Sequence, residues 1–124
     1  MNNVTFFEIQ ASVPEKAIAF YQALFGWTFV KQAMPIPYWQ IQGAGINGGL
    51  LQRPAPAPEG LVGTNAFTCS IQVENFDEMS SQILAQGGSV ALEKFAVPGK
   101  CWQGYFIDVD HNTFGIFQVD EKAA

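Results

Sequence analysis

The chain has 124 residues and a mass of 13.6 kDa, which fits one domain or two small modules that share a core. Apolar residues make up 48% of the sequence and charged residues 14%, which argues against intrinsic disorder. Acidic residues outnumber basic ones by 11 to 6, and the single arginine, Arg53, lies in no basic cluster. This balance predicts that the protein binds neither nucleic acid nor an anionic membrane surface.

The sequence also indicates a compartment. No apolar run approaches the ~18 residues of a membrane-spanning helix, and the first residues do not resemble a secretory signal. Cys69 and Cys101 are too few for a disulfide framework. We therefore expect a cytoplasmic protein with reduced thiols. His111 is the only histidine, so a histidine-based metal site or catalytic triad has at most one imidazole per chain.

The first half of the chain predicts a strand, a helix and three further strands. β-Branched and aromatic residues favour a strand over 4–10. Ser12 and Glu15 match a capping box, and apolar residues at helical spacing then lead to Gly26, which can end the helix. Further strands are predicted over 27–31, 38–42 and 46–52.

The second half repeats this order of elements. A strand is predicted over 67–73, Asn75 and Glu78 match a second capping box, and a helix follows through Leu84. Strands are then predicted over 89–95, 101–108 and 113–118. A Pro- and Ala-rich stretch separates the halves and is typical of a linker. We predict one domain over 1–124, with a first module over 1–53, a linker over 54–64 and a second module over 65–124.

Matching residues support an internal repeat. Ile71 follows Ile9 by 62 residues, and Trp102 follows Trp39 by 63. The separation grows slowly along the chain, as expected for two copies of one module that differ by short insertions.

Four segments together resemble the vicinal oxygen chelate superfamily, which includes glyoxalase I, extradiol dioxygenases, fosfomycin-resistance enzymes and bleomycin-resistance proteins. The most specific segment is the helix end Ala-x-x-Phe-Tyr-x-x-Leu-Phe-Gly-Trp at 17–27; the others are 7–9, 45–50 and 106–112. The resemblance implies an α+β fold of two βαβββ modules, with the helices outside a curved mixed sheet that encloses a cavity. It also implies a homodimer.

The resemblance assigns metal ligands to one position on the first strand and one on the last strand of each module. Here these positions hold Phe6, Gly49, Thr68 and Gly115. Phenylalanine and glycine side chains offer no lone pair, and threonine is a weak neutral ligand. We therefore predict no metal and no other cofactor, which undercuts the metal-dependent reactions of glyoxalases, dioxygenases and fosfomycin-resistance enzymes.

If the four positions that the resemblance assigns to metal ligands face the cavity and the tryptophans face the helices, alternation along the strands predicts the rest of the cavity lining. Amides, hydroxyls and aromatic rings would surround one carboxylate, that of Glu8, and the glycines at two ligand positions would add room. Such a wall suits a neutral or cationic small organic ligand. The predicted lining consists of Phe6, Glu8, Tyr38, Gln40, Asn47, Gly49, Leu51, Thr68, Ser70, Gln103, Tyr105, Thr113, Gly115 and Phe117.

The sequence favours a metal-independent protein that binds a small organic molecule in this cavity. Alternatively, Glu8 is the catalytic base of a metal-independent lyase or isomerase, a role that burial among Phe6, Leu51 and Phe117 would favour. If the assignment of metal-ligand positions is wrong, the alternative hypothesis is a glyoxalase-type enzyme. A regulatory or structural module that docks on another protein is a further alternative.

Overall fold

The computed structural model describes residues 6–53, 56 and 68–124, and its elements follow the predicted order. In the first half, the elements are β1 (Phe6–Ala11), α1 (Pro14–Phe25), β2 (Thr28–Lys31), β3 (Tyr38–Gln42) and β4 (Asn47–Gln52). In the second half, they are β5 (Ser70–Gln72), α2 (Phe76–Ala85), β6 (Ser89–Val97), β7 (Cys101–Ile107) and β8 (Thr113–Val119). The α+β class and the repeated βαβββ order are confirmed.

Each half builds its own four-stranded mixed sheet. The strand orders are β1-β4-β3-β2 and β5-β8-β7-β6, with the outer pairs β1–β4 and β5–β8 parallel and the other pairs antiparallel. Both sheets are curved and open. The chain divides into two compact units, Met1–Glu59 and Gly60–Ala124. The predicted linker over 54–64 lies outside the described residues except for Pro56.

The start of α1 differs from the prediction, whereas its end agrees. Val13 is the N-cap and makes no side-chain capping bond, so the capping box that begins at Ser12 is wrong. Pro14 instead takes the first helical position, where its missing N–H costs nothing. Gly26 ends the helix in the left-handed region, at φ 69°, and its N–H donates to the carbonyl of Gln22.

The second helix has the predicted cap. The side chain of Asn75 accepts a hydrogen bond from the N–H of Glu78 at 3.0 Å, which satisfies a free donor of the first turn. Neither α1 nor α2 has the length and hydropathy that a helix needs to cross a membrane. His111 lies exposed in the β7–β8 turn with φ at 64°.

Aromatic packing identifies the face of the first sheet that α1 covers. Tyr21 of α1 stacks on Trp27 with ring centroids 5.4 Å apart, and Phe7 of β1 meets Trp27 edge-on at 6.1 Å. A Cβ on Gly48 would collide with the Phe7 ring, so Gly48 shares that face. Since side chains alternate along a strand, Glu8 points to the opposite face. We call the face turned away from the helix the distal face of each sheet.

Contacts of Phe76 in α2 identify the face of the second sheet that this helix covers. A Cβ on Gly104 would lie 2.6 Å from the Phe76 ring, and the rings of Phe76 and Phe106 are 6.2 Å apart. Gly104 and Phe106 therefore face α2. By alternation, Gln103 and Tyr105 lie on the distal face.

Strand register corrects one of the matches within the repeat. Gln40 lies opposite Gly49, and Tyr105 lies opposite Gly115, so β3 corresponds to β7 at a separation of 65 residues. The match of Trp39 with Trp102 at 63 residues is therefore wrong as a structural equivalence. In the correct register, Tyr38 is equivalent to Gln103.

Candidate functional site

A hydrogen bond between Tyr38 and Glu8 lies on the distal face of the first sheet. The hydroxyl of Tyr38 donates to Oε2 of Glu8 at 2.8 Å. The strands that carry them, β3 and β1, flank β4, whose Gly49 lies opposite Glu8. Because Gly49 has no side chain, the tyrosine reaches across β4; a Cβ at this position would collide with its hydroxyl.

This contact perturbs the titration of the phenol. Burial of the hydroxyl, the hydrogen bond to Glu8 and the negative charge of that carboxylate together raise the pKa of Tyr38 to about 12. The phenol therefore stays protonated at neutral pH, and it remains a hydrogen-bond donor to the carboxylate.

Glu8 does not lie in the buried environment that would favour its role as a base. Glu8 and Phe6 are both exposed, and only Leu51 of the expected neighbours in this sheet is buried. The expectation of a carboxylate buried among apolar side chains is therefore wrong.

The second sheet contains a matching contact on its distal face. Ser70 of β5 lies opposite Gly115 of β8. The side-chain amide of Gln103 donates to the Ser70 hydroxyl oxygen at 3.2 Å. A Cβ on Gly115 would lie 2.8 Å from Nε2 of Gln103 and would collide with Oγ of Ser70.

The two contacts occupy equivalent positions of the repeat. In each module the first strand supplies an acceptor, the third strand supplies a donor, and the last strand supplies the glycine between them. The first module uses Glu8, Tyr38 and Gly49; the second uses Ser70, Gln103 and Gly115. Only the first of these pairs carries a charge.

The expectation that the two glycines add room is wrong. At Gly49 the missing side chain is replaced by the hydroxyl end of Tyr38, and at Gly115 by Ser70 and Gln103. The glycines instead bring polar groups from neighbouring strands into contact.

Apart from Thr68, the remaining predicted lining residues lie on the distal faces. Register and alternation place Phe6, Gln40, Asn47 and Leu51 with Glu8, Tyr38 and Gly49 on the distal face of the first sheet. They place Tyr105, Thr113 and Phe117 with Ser70, Gln103 and Gly115 on that of the second. Thr68 is exposed and precedes β5, so no strand ladder orients it. A cavity lined by these residues stays a prediction.

Sequence reasoning missed two apolar residues on β6. Leu92 lies opposite Tyr105 and Phe95 lies opposite Gln103, so both share the distal face. The rings of Phe95 and Tyr105 stack with centroids 6.4 Å apart. Register shifts on both sides of Leu92 break the alternation along β6, which is why a strict period of two does not identify the pair.

The residues at the positions assigned to metal ligands do not fit a divalent cation. Phe6, Gly49 and Gly115 bring no donor atom, and Thr68 brings one neutral hydroxyl. Across residues 6–53, 56 and 68–124, no three His, Cys, Asp or Glu side chains group as a metal site requires.

Comparison with known proteins identifies the family. The family model described as Glyoxalase/Bleomycin resistance protein/Dioxygenase superfamily matches residues 3–116. The chain belongs to this superfamily. No functionally curated protein matches the chain.

Solved structures share the fold at low identity. The fosfomycin resistance protein FosX from Listeria monocytogenes has a TM-score of 0.76 at 18% identity, covering 97% of this chain and 93% of its own. A glyoxalase/bleomycin resistance protein/dioxygenase family enzyme from Burkholderia phytofirmans has a TM-score of 0.75 at 18% identity, covering 95% and 99%. A hypothetical protein from S. aureus has a TM-score of 0.71 at 21% identity, covering 95% and 98%. One mutant FosX structure contains Mn(II) and 1S,2S-dihydroxypropylphosphonic acid.

Proposed function

We propose that this superfamily member binds a small organic molecule on the strand faces turned away from its helices, without a metal ion. The observation that carries the proposal is that Phe6, Gly49, Thr68 and Gly115, at the four positions that the resemblance assigns to metal ligands, are apolar or weakly coordinating residues. The filled space at both glycines supports it, because a metal ion would compete there with Tyr38 and Ser70. Aromatic rings and amides on the same faces suit an organic ligand.

The proposal includes a cytoplasmic homodimer that binds neither nucleic acid nor a membrane. Sedimentation at micromolar concentration is expected to give the mass of two chains. A monomer at that concentration would contradict the proposed dimer but would not contradict ligand binding by a single chain.

Native mass spectrometry of freshly purified protein, with elemental analysis of the same sample, tests the main claim. We expect protein free of stoichiometric metal, with or without an organic adduct whose mass identifies the ligand. Stoichiometric Zn, Ni, Fe or Mn, together with turnover of a vicinal-oxygen substrate, would contradict the proposal and support a glyoxalase-type enzyme. A protein partner recovered in fixed proportion, with no small ligand, would instead support a docking module.

A metal-independent lyase or isomerase is a second candidate function, supported by the contact between Glu8 and Tyr38. The Glu8 carboxylate can accept a proton from a bound substrate, and the Tyr38 phenol that donates to it holds it in position. Once a substrate is found, Glu8→Gln is expected to abolish turnover while leaving ligand binding measurable. Unchanged turnover in this variant would eliminate the role.

A further inference from the structure

Charge is unevenly distributed over the first sheet. Among the strand residues of β1 to β4, only Glu8 and Lys31 are charged. Nζ of Lys31 lies 5.3 Å from the ring centroid of Trp39, whose strand position is opposite buried Leu50 on the face that α1 covers. Glu8 is therefore the only charged strand residue on the distal face; the next cation along the chain, Arg53, lies beyond the end of β4, four residues after Gly49.

The hydrogen bond from Tyr38 leaves one oxygen of this carboxylate able to accept further hydrogen bonds. Tyr38 donates to Oε2, and within the described part of the chain Oε1 of Glu8 accepts no hydrogen bond. The phenol oxygen uses its only proton on Glu8, so it can only accept from a ligand. Glu8 and Tyr38 together thus present acceptors and a full negative charge.

Aromatic surface lies beside these acceptors. Phe6 precedes Glu8 by two residues on the same face, and 46% of its surface is exposed. The Tyr38 ring crosses β4 at Gly49 to reach the carboxylate. Aromatic faces attract cations, and the amides of Gln40 and Asn47 on this face add neutral hydrogen-bonding groups without opposing charge.

We propose that Glu8 and Tyr38 form the anchoring point for the protonated amine of an organic cation, with the apolar part of the ligand against Phe6. An ammonium group has three donors and no acceptor, which complements two acceptor atoms and a negative charge. This inference rests on the proposed ligand-binding function and narrows the ligand to one chemical class. The equivalent pair in the second module, Ser70 and Gln103, is neutral, so of the two pairs only that of the first module presents a charge.

Isothermal titration with three phenyl probes of different charge tests the inference. Benzylammonium, neutral benzyl alcohol and anionic benzoate are titrated to millimolar concentration into the full-length protein at neutral pH and low ionic strength. We expect benzylammonium to bind, benzyl alcohol to bind at least ~tenfold more weakly and benzoate not to bind, because hydrogen bonds to a charged group are the stronger ones. Failure of benzylammonium to bind, or equal binding of the alcohol, would overturn the inference.

Substitutions at Glu8 and Tyr38 test whether these two residues bind benzylammonium. Glu8→Gln is expected to weaken benzylammonium binding about tenfold or more, and Tyr38→Phe several-fold, because only one acceptor atom is removed. Glu15→Gln removes one exposed carboxylate from the first turn of α1 and is the matched control, expected to bind as the wild type does. Thermal unfolding of each variant verifies that it is folded.

The cation inference can fail while the proposed ligand-binding function holds, and one experiment distinguishes the two cases. An organic adduct that survives in Glu8→Gln protein, detected by native mass spectrometry, would show that a ligand binds without this anchor. That result would overturn the cation inference while leaving the ligand-binding function standing.

Discussion

The hydroxyl of Tyr38 lies where a side chain at Gly49 would have to be, and from this position it donates to Glu8. The absence of a side chain at Gly49 thus leaves space that the side chain of a residue on the neighbouring strand occupies. Gln103 does the same at Gly115 in the second module. Each module of the repeat therefore contains the same kind of contact between its first and third strands, although the residue types differ.

Replacing Gly49 with alanine is expected to expel the Tyr38 side chain from its place beside Glu8. The tyrosine can rotate away, so the fold should persist with a loss of about 1 kcal/mol in the free energy of unfolding, that of one hydrogen bond. In a Tyr38→Ala background, Gly49→Ala should have no destabilising effect, because nothing occupies the space. Denaturant unfolding of the two single variants and the double variant measures this coupling. Additive losses would show that the two residues do not interact.

The Tyr38 phenol should ionise late in an alkaline titration. Its pKa of about 12 in the folded protein exceeds the usual value of 10.0, so its interactions stabilise the fold fully below about pH 10. That stabilisation is lost as the pH rises through about 12. The tyrosinate absorbance of wild type minus that of Tyr38→Phe isolates this transition. Glu8→Gln removes the charge and should lower the pKa; an unchanged midpoint would contradict the contribution of Glu8.

The faces of the strands could be predicted because the resemblance and the expected burial of the tryptophans fixed one residue of each strand, and alternation assigned the others. It placed Glu8, Tyr38 and Gly49 on one face, as the structure does. The contact between them could not be predicted, because it depends on the register of β3 against β4 and on the length of a tyrosine. The same limit explains the wrong match of Trp39 with Trp102, since an identical residue on two strands carries no information about how each strand pairs with its neighbour.

Other differences have local causes. Ser12 looked like a cap because its spacing to Glu15 fits the pattern, yet Pro14 fixes the backbone so that the helix starts after Val13. Leu92 and Phe95 were missed because register shifts in β6 change which residues share a face. Irregularities of this kind leave no periodic signal in a single sequence.

The cap of α2 should contribute measurably to stability. Asn75→Ala removes the acceptor for the Glu78 N–H and should lower the free energy of unfolding by about 1 kcal/mol. Asn75→Asp keeps an acceptor at the same position and should retain most of that stability. Urea unfolding with unchanged slopes checks both variants. Equal stability of Asn75→Ala and wild type would mean that the bond contributes nothing in solution.

Asp120 should link the C-terminal turn to β7 in a pH-dependent way. Its carboxylate accepts from the Lys122 N–H at 2.9 Å and from Nε1 of Trp102 at 3.0 Å, and these bonds lower the pKa of Asp120 below its usual value. Because the folded protein holds the carboxylate ionised, this stabilisation is present above about pH 4 and is lost as the pH falls through the lowered pKa. Trp102→Phe removes one donor and should move the pKa of Asp120 back towards its ordinary value.

Carboxyl-carbon NMR of Asp120 over an acid titration measures that shift directly. Asp120→Asn serves as the comparison for stability, since an amide cannot ionise and the acid-dependent part of the unfolding free energy should shrink in this variant. Part of the pH dependence will remain, because other carboxylates titrate in the same range. If Trp102→Phe leaves the Asp120 midpoint in place, the indole bond does not act on this carboxylate, and the backbone N–H and the charge of Lys122 account for the lowered pKa.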